Sequence, residues 1–433
     1  MKISIIELIK KIPRFTGYLF QMIFYHIVAL FYKDKEKYKN AWLICERGTE
    51  ARDNGYWMFK YIRENHPNQK VFYIIDSKNK MDYERVKKLG EVIEYNSFQH
   101  KIALILSNVY ISTHIGYINI WSYLLYKKVF DRKNKKKYIF LQHGVTKDDM
   151  SDLLNKRINQ INLFITSTFD ERNSILNNPN YGYKEEEVPL VGMARFDNLI
   201  DYETKEQILL MPTWRNYLVN PSYKKEKNNL EKIFLRSEYY KIYKSLLNSE
   251  KLKKILNKYK MKLIFYPHYE MQKYIKLFNT NNPNIIIASK EENDVQELLR
   301  QSKILITDYS SVYFDFAYMK KPELFYQFDK EKFKQKQYKE CSTEYKHKEF
   351  SASSFRGSGI EILRVNSLVY LPDEAKERIA KKEDEVIEEL EKILKNECKM
   401  EEKYIEMVED TFAYIDNNNC KRTYEEIIKL LNY

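Results

Sequence analysis

In its 433 residues the chain has four cysteines, Cys45, Cys341, Cys398 and Cys420, far apart and with no C-x-x-C pair. That pattern excludes a disulfide framework and a cysteine zinc site, and it suits the reduced thiols of a cytoplasmic protein. The seven histidines include no H-E-x-x-H. There is no Walker A, no G-x-G-x-x-G and no Asp-x-Asp pair of the kind many metal-using sugar transferases carry. The sequence therefore calls for no tightly bound metal or cofactor.

A long apolar run is also missing. The closest approach is "GYLFQMIFYHIVALFYK" (17–33), broken by Gln21 and His26 and flanked by Lys10, Lys11, Arg14, Lys33, Lys35 and Lys37. It has no small-residue cleavage site of the kind that ends a signal peptide. Spanning a bilayer takes about 20 apolar residues, so the run is marginal for that. Aromatic and cationic residues suit the headgroup layer, and an interfacial helix is the expectation for 1–38. A true span and an ordinary buried helix are the alternatives.

What is present describes a globular protein, with 44% hydrophobic and 31% charged residues. Lys and Arg, 74 in all, outnumber Asp and Glu by 13. This basic balance favours an anionic partner: nucleic acid, an anionic membrane surface or a phosphate-bearing substrate. The aromatic residues lie mostly inside strand and helix runs and form no stacking platform, which argues against nucleic acid.

Beyond residue 40, short β-type runs alternate with helical stretches. "AWLIC" (41–45), "VFYIID" (71–76), "VYIST" (109–113), "KYIFLQ" (137–142) and "LFITS" (163–167) read as buried strands. A second set comprises "QILLMP" (207–212), "MKLIFYP" (261–267), "NIIIAS" (284–289), "ILIT" (304–307) and "PELFYQF" (322–328). Continuous apolar strands separated by helices predict parallel sheets covered on both faces. The expected architecture is α/β, with two Rossmann-like domains, 39–200 and 201–395, facing each other across a cleft. Helices are expected over 396–433, and the polar segment 330–362 is a candidate flap.

In open parallel sheets, ligands sit beyond the carboxyl ends of the strands, so the reactive residues to seek are those that immediately follow a strand. His143 follows "KYIFLQ", with Gly144 after it to permit a tight turn. His268 follows "KLIFYP". Either can act as a base near neutral pH or, protonated, stabilise a phosphate. Thr213 and Arg215 follow "QILLMP", and arginine offers bidentate phosphate recognition. Arg47, Arg52, Asp53 and Asn54 follow the first strand, where Asp53 or Asn54 can equally cap the next helix. Arg195 in "GMARFDN" is a weaker candidate. In "ILITDYSSVYFDF", Asp308, Ser310 and Ser311 stand where a strand turns into a helix. They can cap that helix or seat an anion, and both roles are compatible.

Taken together, "ITDYSSVYFDFAYMKKPELFY", "MPTWR", "LQHG", "YPHYE", "GMARFDN" and the closing "FAYIDNNNCKRTYEEI" resemble the CDP-glycerol glycerophosphotransferase family. These are the teichoic-acid primases and polymerases of bacteria, and the resemblance runs from about residue 40 to the end. It implies a GT-B fold and transfer of a polyol phosphate from CDP-glycerol or CDP-ribitol to a lipid-linked polymer, with release of CMP. It implies that His143 deprotonates the acceptor hydroxyl and that His268 stabilises the donor pyrophosphate. Thr213, Arg215, Thr307, Asp308, Ser310, Ser311, Asp416 and Arg422 would serve the donor. Arg47, Arg52, Asn54 and Gly144 would serve the acceptor. The implied location is the cytoplasmic face of the membrane, in teichoic acid or capsule synthesis. A glycosyltransferase of the same fold, a sugar-nucleotide epimerase and a non-catalytic polyanion-binding scaffold are the alternatives.

Overall fold

The computed structural model describes residues 5–146, 149–200, 202–219, 230–330, 332–333, 379–380 and 382–432. The chain divides into two compact units, Met1–Asn198 with Phe412–Tyr433, and Leu199–Thr411.

The first unit is built on six parallel strands: β1 (Trp42–Cys45), β2 (Val71–Ile75), β3 (Val92–Glu94), β4 (Val109–Ser112), β5 (Lys137–Phe140) and β6 (Leu163–Phe164). Their order is β3-β2-β1-β4-β5-β6. Because side chains alternate along a strand, each apolar run feeds two cores at once. Leu43, Phe72, Ile74, Tyr110 and Phe140 enter one core, which also takes the helix Phe98–Leu106 and Met22 and Ala29 of the N-terminal helix Ile5–Phe31. Trp42, Ile44, Tyr73, Ile111 and Ile139 enter the other, against Met58 and Phe59 of the helix Asn54–Asn65 and Ile427 of the helix Asn419–Asn432.

The second unit repeats the plan with β7 (Gln207–Leu210), β8 (Lys262–Phe265), β9 (Ile285–Ile287), β10 (Ile304–Thr307), β11 (Glu323–Tyr326) and β12 (Ile379–Ala380). The order is β12-β11-β10-β7-β8-β9, again wholly parallel. Val386, Leu390 and Leu394 of the helix Glu383–Lys395 join its core.

The carboxyl-terminal helices, expected as one segment, are shared between the units. Asp197 accepts the N–H groups of Asn419 and Cys420, at 2.7 and 2.8 Å, and so caps the last helix onto the first unit. Gly192 (φ 84°) makes room for it, since a Cβ there would lie 1.8 Å from Asn419 Oδ1. Apart from residues 330 and 332–333, the segment expected as a flap lies outside the described residues.

The N-terminal helix is two-faced. Tyr18, Met22, Tyr25 and Ala29 pack on the first unit, and His26 stacks on Phe130 with 4.2 Å between ring centroids. Phe20, Ile23, Phe24, Ile27, Leu30 and Phe31 stay exposed. Among the described residues, no helix is long and apolar enough to cross a membrane.

Candidate active site

Strand order places a crevice-forming point in each sheet, where crossovers leave in opposite directions. In the first unit it lies between β1 and β4, and in the second between β7 and β10. Most of the candidate residues follow strands at or beside these points; Asp416 and Arg422 do not.

In the first unit, Cys45 pairs with Ser112, and Ser112 with Phe140. This register brings Arg47, His114 and His143 side by side just past the ends of β1, β4 and β5. Arg47 Nε donates to His114 Nε2 at 3.1 Å. The His114 and His143 rings stack, with centroids 4.4 Å apart and planes 18° from parallel. His143 is exposed to solvent, yet desolvation by the protein around it lowers its pKa. Arg47 and Arg195 lower it further, while Asp53 opposes them.

The turn that presents His143 is strained and tightly held. Gln142, just before it, has φ 61°, a conformation costly for a residue with a Cβ. Its side-chain amide donates to Ile165 O at 2.7 Å and to the buried Glu171 at 2.9 Å. Asn54 Nδ2 donates to Gln142 O at 2.8 Å, and Asn54 Oδ1 accepts from Arg195 N at 2.9 Å. Arg195 Nη1 in turn donates to His143 O at 3.0 Å and to Asp53 at 2.7 Å. Asn54 and Arg195 therefore brace the backbone that carries His143. The expectation of an acceptor contact at Asn54 meets a fully buried side chain with both ends of its amide engaged. Arg52 grips the buried Asp82 through Nε, at 2.7 and 2.9 Å.

Beneath this loop, Glu46 accepts three backbone N–H bonds, from Arg52, Asp53 and Tyr56, each at 2.9 Å. Burial pushes its carboxyl up to about 8, Asp53 adds to the rise, and the three N–H donors oppose it.

In the second unit, Thr213 past β7 and Asp308 past β10 meet directly. Thr213 N donates to Asp308 Oδ1 at 2.8 Å, and Tyr309 N donates to the same oxygen at 2.6 Å. Arg215 is fully buried and ion-paired with Asp308 at 2.9 Å. It also forks onto Asp329, at 2.8 and 2.9 Å, and donates to Thr213 O at 2.8 Å. Tyr239, Tyr309, Phe328 and Phe333 enclose the guanidinium. Arg215, expected at a phosphate, is engaged here by two carboxylates and ties together the loops that follow β7, β10 and β11.

Thr307 is similarly structural, donating through Oγ1 to Met211 O at 2.8 Å. Ser310 and Ser311, by contrast, are partly exposed. Ser310 Oγ accepts from Val312 N at 3.3 Å, while Ser311, at the cap position of the helix Val312–Tyr318, makes no side-chain capping bond. Thr213 Oγ1 is buried without a hydrogen-bond partner among the described residues. His268 is half-buried, accepts from Glu270 N at 3.3 Å and stacks on Trp214 with centroids 6.1 Å apart. Each candidate histidine thus has an aromatic ring laid on it.

Asp416 and Arg422 belong to the first unit. They pair bidentately at 2.8 and 2.9 Å, and Arg422 Nε donates to Val191 O at 3.0 Å. Arg422 also lines a surface pocket of about 530 Å³ with Arg172 and Tyr414. Among the described residues, no group of three or more His, Cys, Asp or Glu side chains could hold a metal ion.

Sequence reasoning passed over His114 and Asp329, although each closely follows a run already read as a strand. The carboxyl-end rule applied evenly would have flagged both. Glu46, the residue directly after "AWLIC", meets the same rule, but its partners are backbone groups that the local sequence does not name.

Residues 26–352 match the family model described as CDP-glycerol:poly(glycerophosphate) glycerophosphotransferase. The minor teichoic acid biosynthesis protein GgaB of Bacillus subtilis (strain 168) is 36% identical over 409 residues, 94% of this chain and 41% of that protein. The teichoic acid poly(glycerol phosphate) polymerase of the same strain is 24% identical over 362 residues, 77% of this chain and 45% of that one. The chain therefore spans less than half the length of these curated relatives. A solved structure of the wall teichoic acid polymerase TagF superposes with a TM-score of 0.61 at 18% identity, covering all of both chains. That likeness is one of fold and gives the two units their GT-B class.

Proposed function

The chain belongs to the CDP-glycerol:poly(glycerophosphate) glycerophosphotransferase family, and from that membership we propose that it transfers a polyol phosphate from a CDP-polyol to a lipid-linked acceptor. Glycerol phosphate is the preferred unit and CMP the leaving product. The observation that carries this reading is the presence of His143 and His268 just past β5 and β8, with the Ser310–Ser311 hydroxyls past β10.

In the proposed reaction the acceptor hydroxyl attacks the phosphorus that bears the polyol. An oxygen–phosphorus bond forms there, and the bond to the bridging oxygen breaks. The hydroxyl proton passes to His143, and the electron pair of the broken bond leaves with CMP. A base must be unprotonated to act, and desolvation, with Arg47 and Arg195, outweighs Asp53 and favours the neutral imidazole of His143. His268 and the serine hydroxyls would hold the pyrophosphate as charge moves onto the bridging oxygen. Asp308, Arg215 and Asp329 would serve by keeping these loops in place.

A lipid-linked acceptor requires access to a membrane surface. The exposed stripe of Phe20, Phe24, Ile27, Leu30 and Phe31, with exposed Lys33 and Lys35 beyond it, supports peripheral attachment.

The test is to offer CDP-glycerol, CDP-ribitol and a panel of UDP-sugars with a lipid-linked acceptor and to chromatograph the products. CMP, with phosphate retained in the polymer, is the expected result. UDP from a UDP-sugar would overturn the reading in favour of a glycosyltransferase. His143→Ala and His268→Ala should each lower turnover by about 10²- to 10⁴-fold.

A further inference from the structure

His114 has no part in the reaction as set out above, yet it lies against the proposed base. We propose that His114 is a positioning residue for the transfer: clamped between Arg47 and Thr113, its ring is the surface that sets the His143 imidazole in the plane in which it takes the acceptor's proton. This rests on the reading of His143 as the base.

The clamp follows from hydrogen-bond chemistry. A guanidinium only donates, so the 3.1 Å contact from Arg47 Nε requires His114 Nε2 to be an acceptor. The ring proton must then sit on Nδ1, which faces Thr113 Oγ1 at 2.8 Å. Thr113 is fully buried, and Arg47 lies 3.5 Å from Glu50. His114 therefore has one tautomer, no charge and little freedom to rotate. Its own pKa is pushed down to about 2 by burial, with His143 and Arg47 adding to the effect.

The stack then restrains His143, since a ring 4.4 Å away and 18° from parallel leaves it one plane in which to lie. Neutrality matters as much as position. His143 becomes cationic when it accepts the proton, and a second charged imidazole at that distance would oppose the step. A neutral ring face does not. The charged groups that act on the His143 ring are Asp53 and Arg47 from the β1–helix loop and Arg195 from the segment before the unit boundary. Of these, Arg47 and Arg195 disfavour the imidazolium and Asp53 favours it, as does a hydrogen bond to the Thr113 backbone.

The experiment compares the wild-type chain with His114→Ala, His114→Phe, Thr113→Val and His143→Ala. It measures CMP release against pH and titrates the His143 ring by NMR. His114→Ala opens the far face of His143 to water. Its titration and the acidic limb of kcat should both move to higher pH, and kcat should fall on the order of tenfold to a hundredfold. KM for the CDP donor should stay within about twofold. His114→Phe restores the ring surface and should recover most of kcat. Thr113→Val keeps the packing volume but removes the oxygen that takes the Nδ1 proton, loosens the clamp on the His114 ring, and should shift the limb even if His114→Ala does not fold. Wild-type kcat and an unmoved limb in His114→Ala or, should that variant not fold, in Thr113→Val would overturn the inference while His143→Ala is inactive. Full turnover in His143→Ala would instead overturn the base assignment.

Discussion

Arg215 and Asp308 form an ion pair at 2.9 Å in which neither side chain has any exposed surface. Asp329, almost as deeply buried, takes the other edge of the same guanidinium. Removing the cation would leave two carboxylates buried together, a far larger penalty than losing a surface pair. Arg215→Met should therefore destabilise the second unit by about 3 kcal/mol or more, read by urea unfolding. Arg215→Lys should recover little, because an ammonium cannot make the fork.

Ser310 and Ser311 separate capping from ligand binding. Ser310 Oγ accepts a helix N–H, so Ser310→Ala should cost about 1 kcal/mol of stability. Ser311 makes no capping bond, and Ser311→Ala should leave stability within about 0.5 kcal/mol. If Ser311 serves the donor, the same change raises KM for the CDP-polyol several-fold. Unfolding curves and initial rates on both variants distinguish the two roles.

His100 makes the first unit sensitive to acid. Its Nδ1 accepts from Asn96 N at 3.0 Å, so Nε2 carries the proton that faces Ile118 O at 3.0 Å. Burial lowers its pKa from 6.5 to about 4. The folded state thus binds fewer protons than the unfolded chain over that interval. The stabilisation is fully present above pH 6.5 and is lost as pH falls towards 4, by up to about 3 kcal/mol. His100→Gln should flatten the unfolding free energy across this window.

The apolar stripe of the N-terminal helix predicts a separation of binding from folding. Phe24 and Ile27 are more than half exposed, so Phe24→Glu with Ile27→Glu should leave the melting temperature unchanged. Co-sedimentation with anionic vesicles should fall at least tenfold, since each side chain contributes about 1.5–3 kcal/mol when buried in an apolar phase. Equal sedimentation of both proteins would rule out attachment through this face.

The sequence alone determined the layered architecture, because a strand buried on both faces must be apolar along its whole length. "VFYII" and "WLIC" say so without any structure. It also placed the candidate residues, since residues just past such strands have nowhere to go but the sheet's carboxyl edge. The folded chain decided what each of these residues touches. Arg215 looked like a phosphate ligand, yet it is consumed by Asp308 and Asp329, the latter 114 positions further along the chain. Asn54 looked like a cap or an acceptor contact, yet it braces a turn 88 positions away. The Arg47–His114–His143 row exists only because β1, β4 and β5 lie next to one another, and that order is set by crossovers and packing between distant segments. Local pattern reports whether a residue is buried and which edge it stands on. The identity of its partner depends on pairings between segments far apart in the chain, which periodicity does not encode.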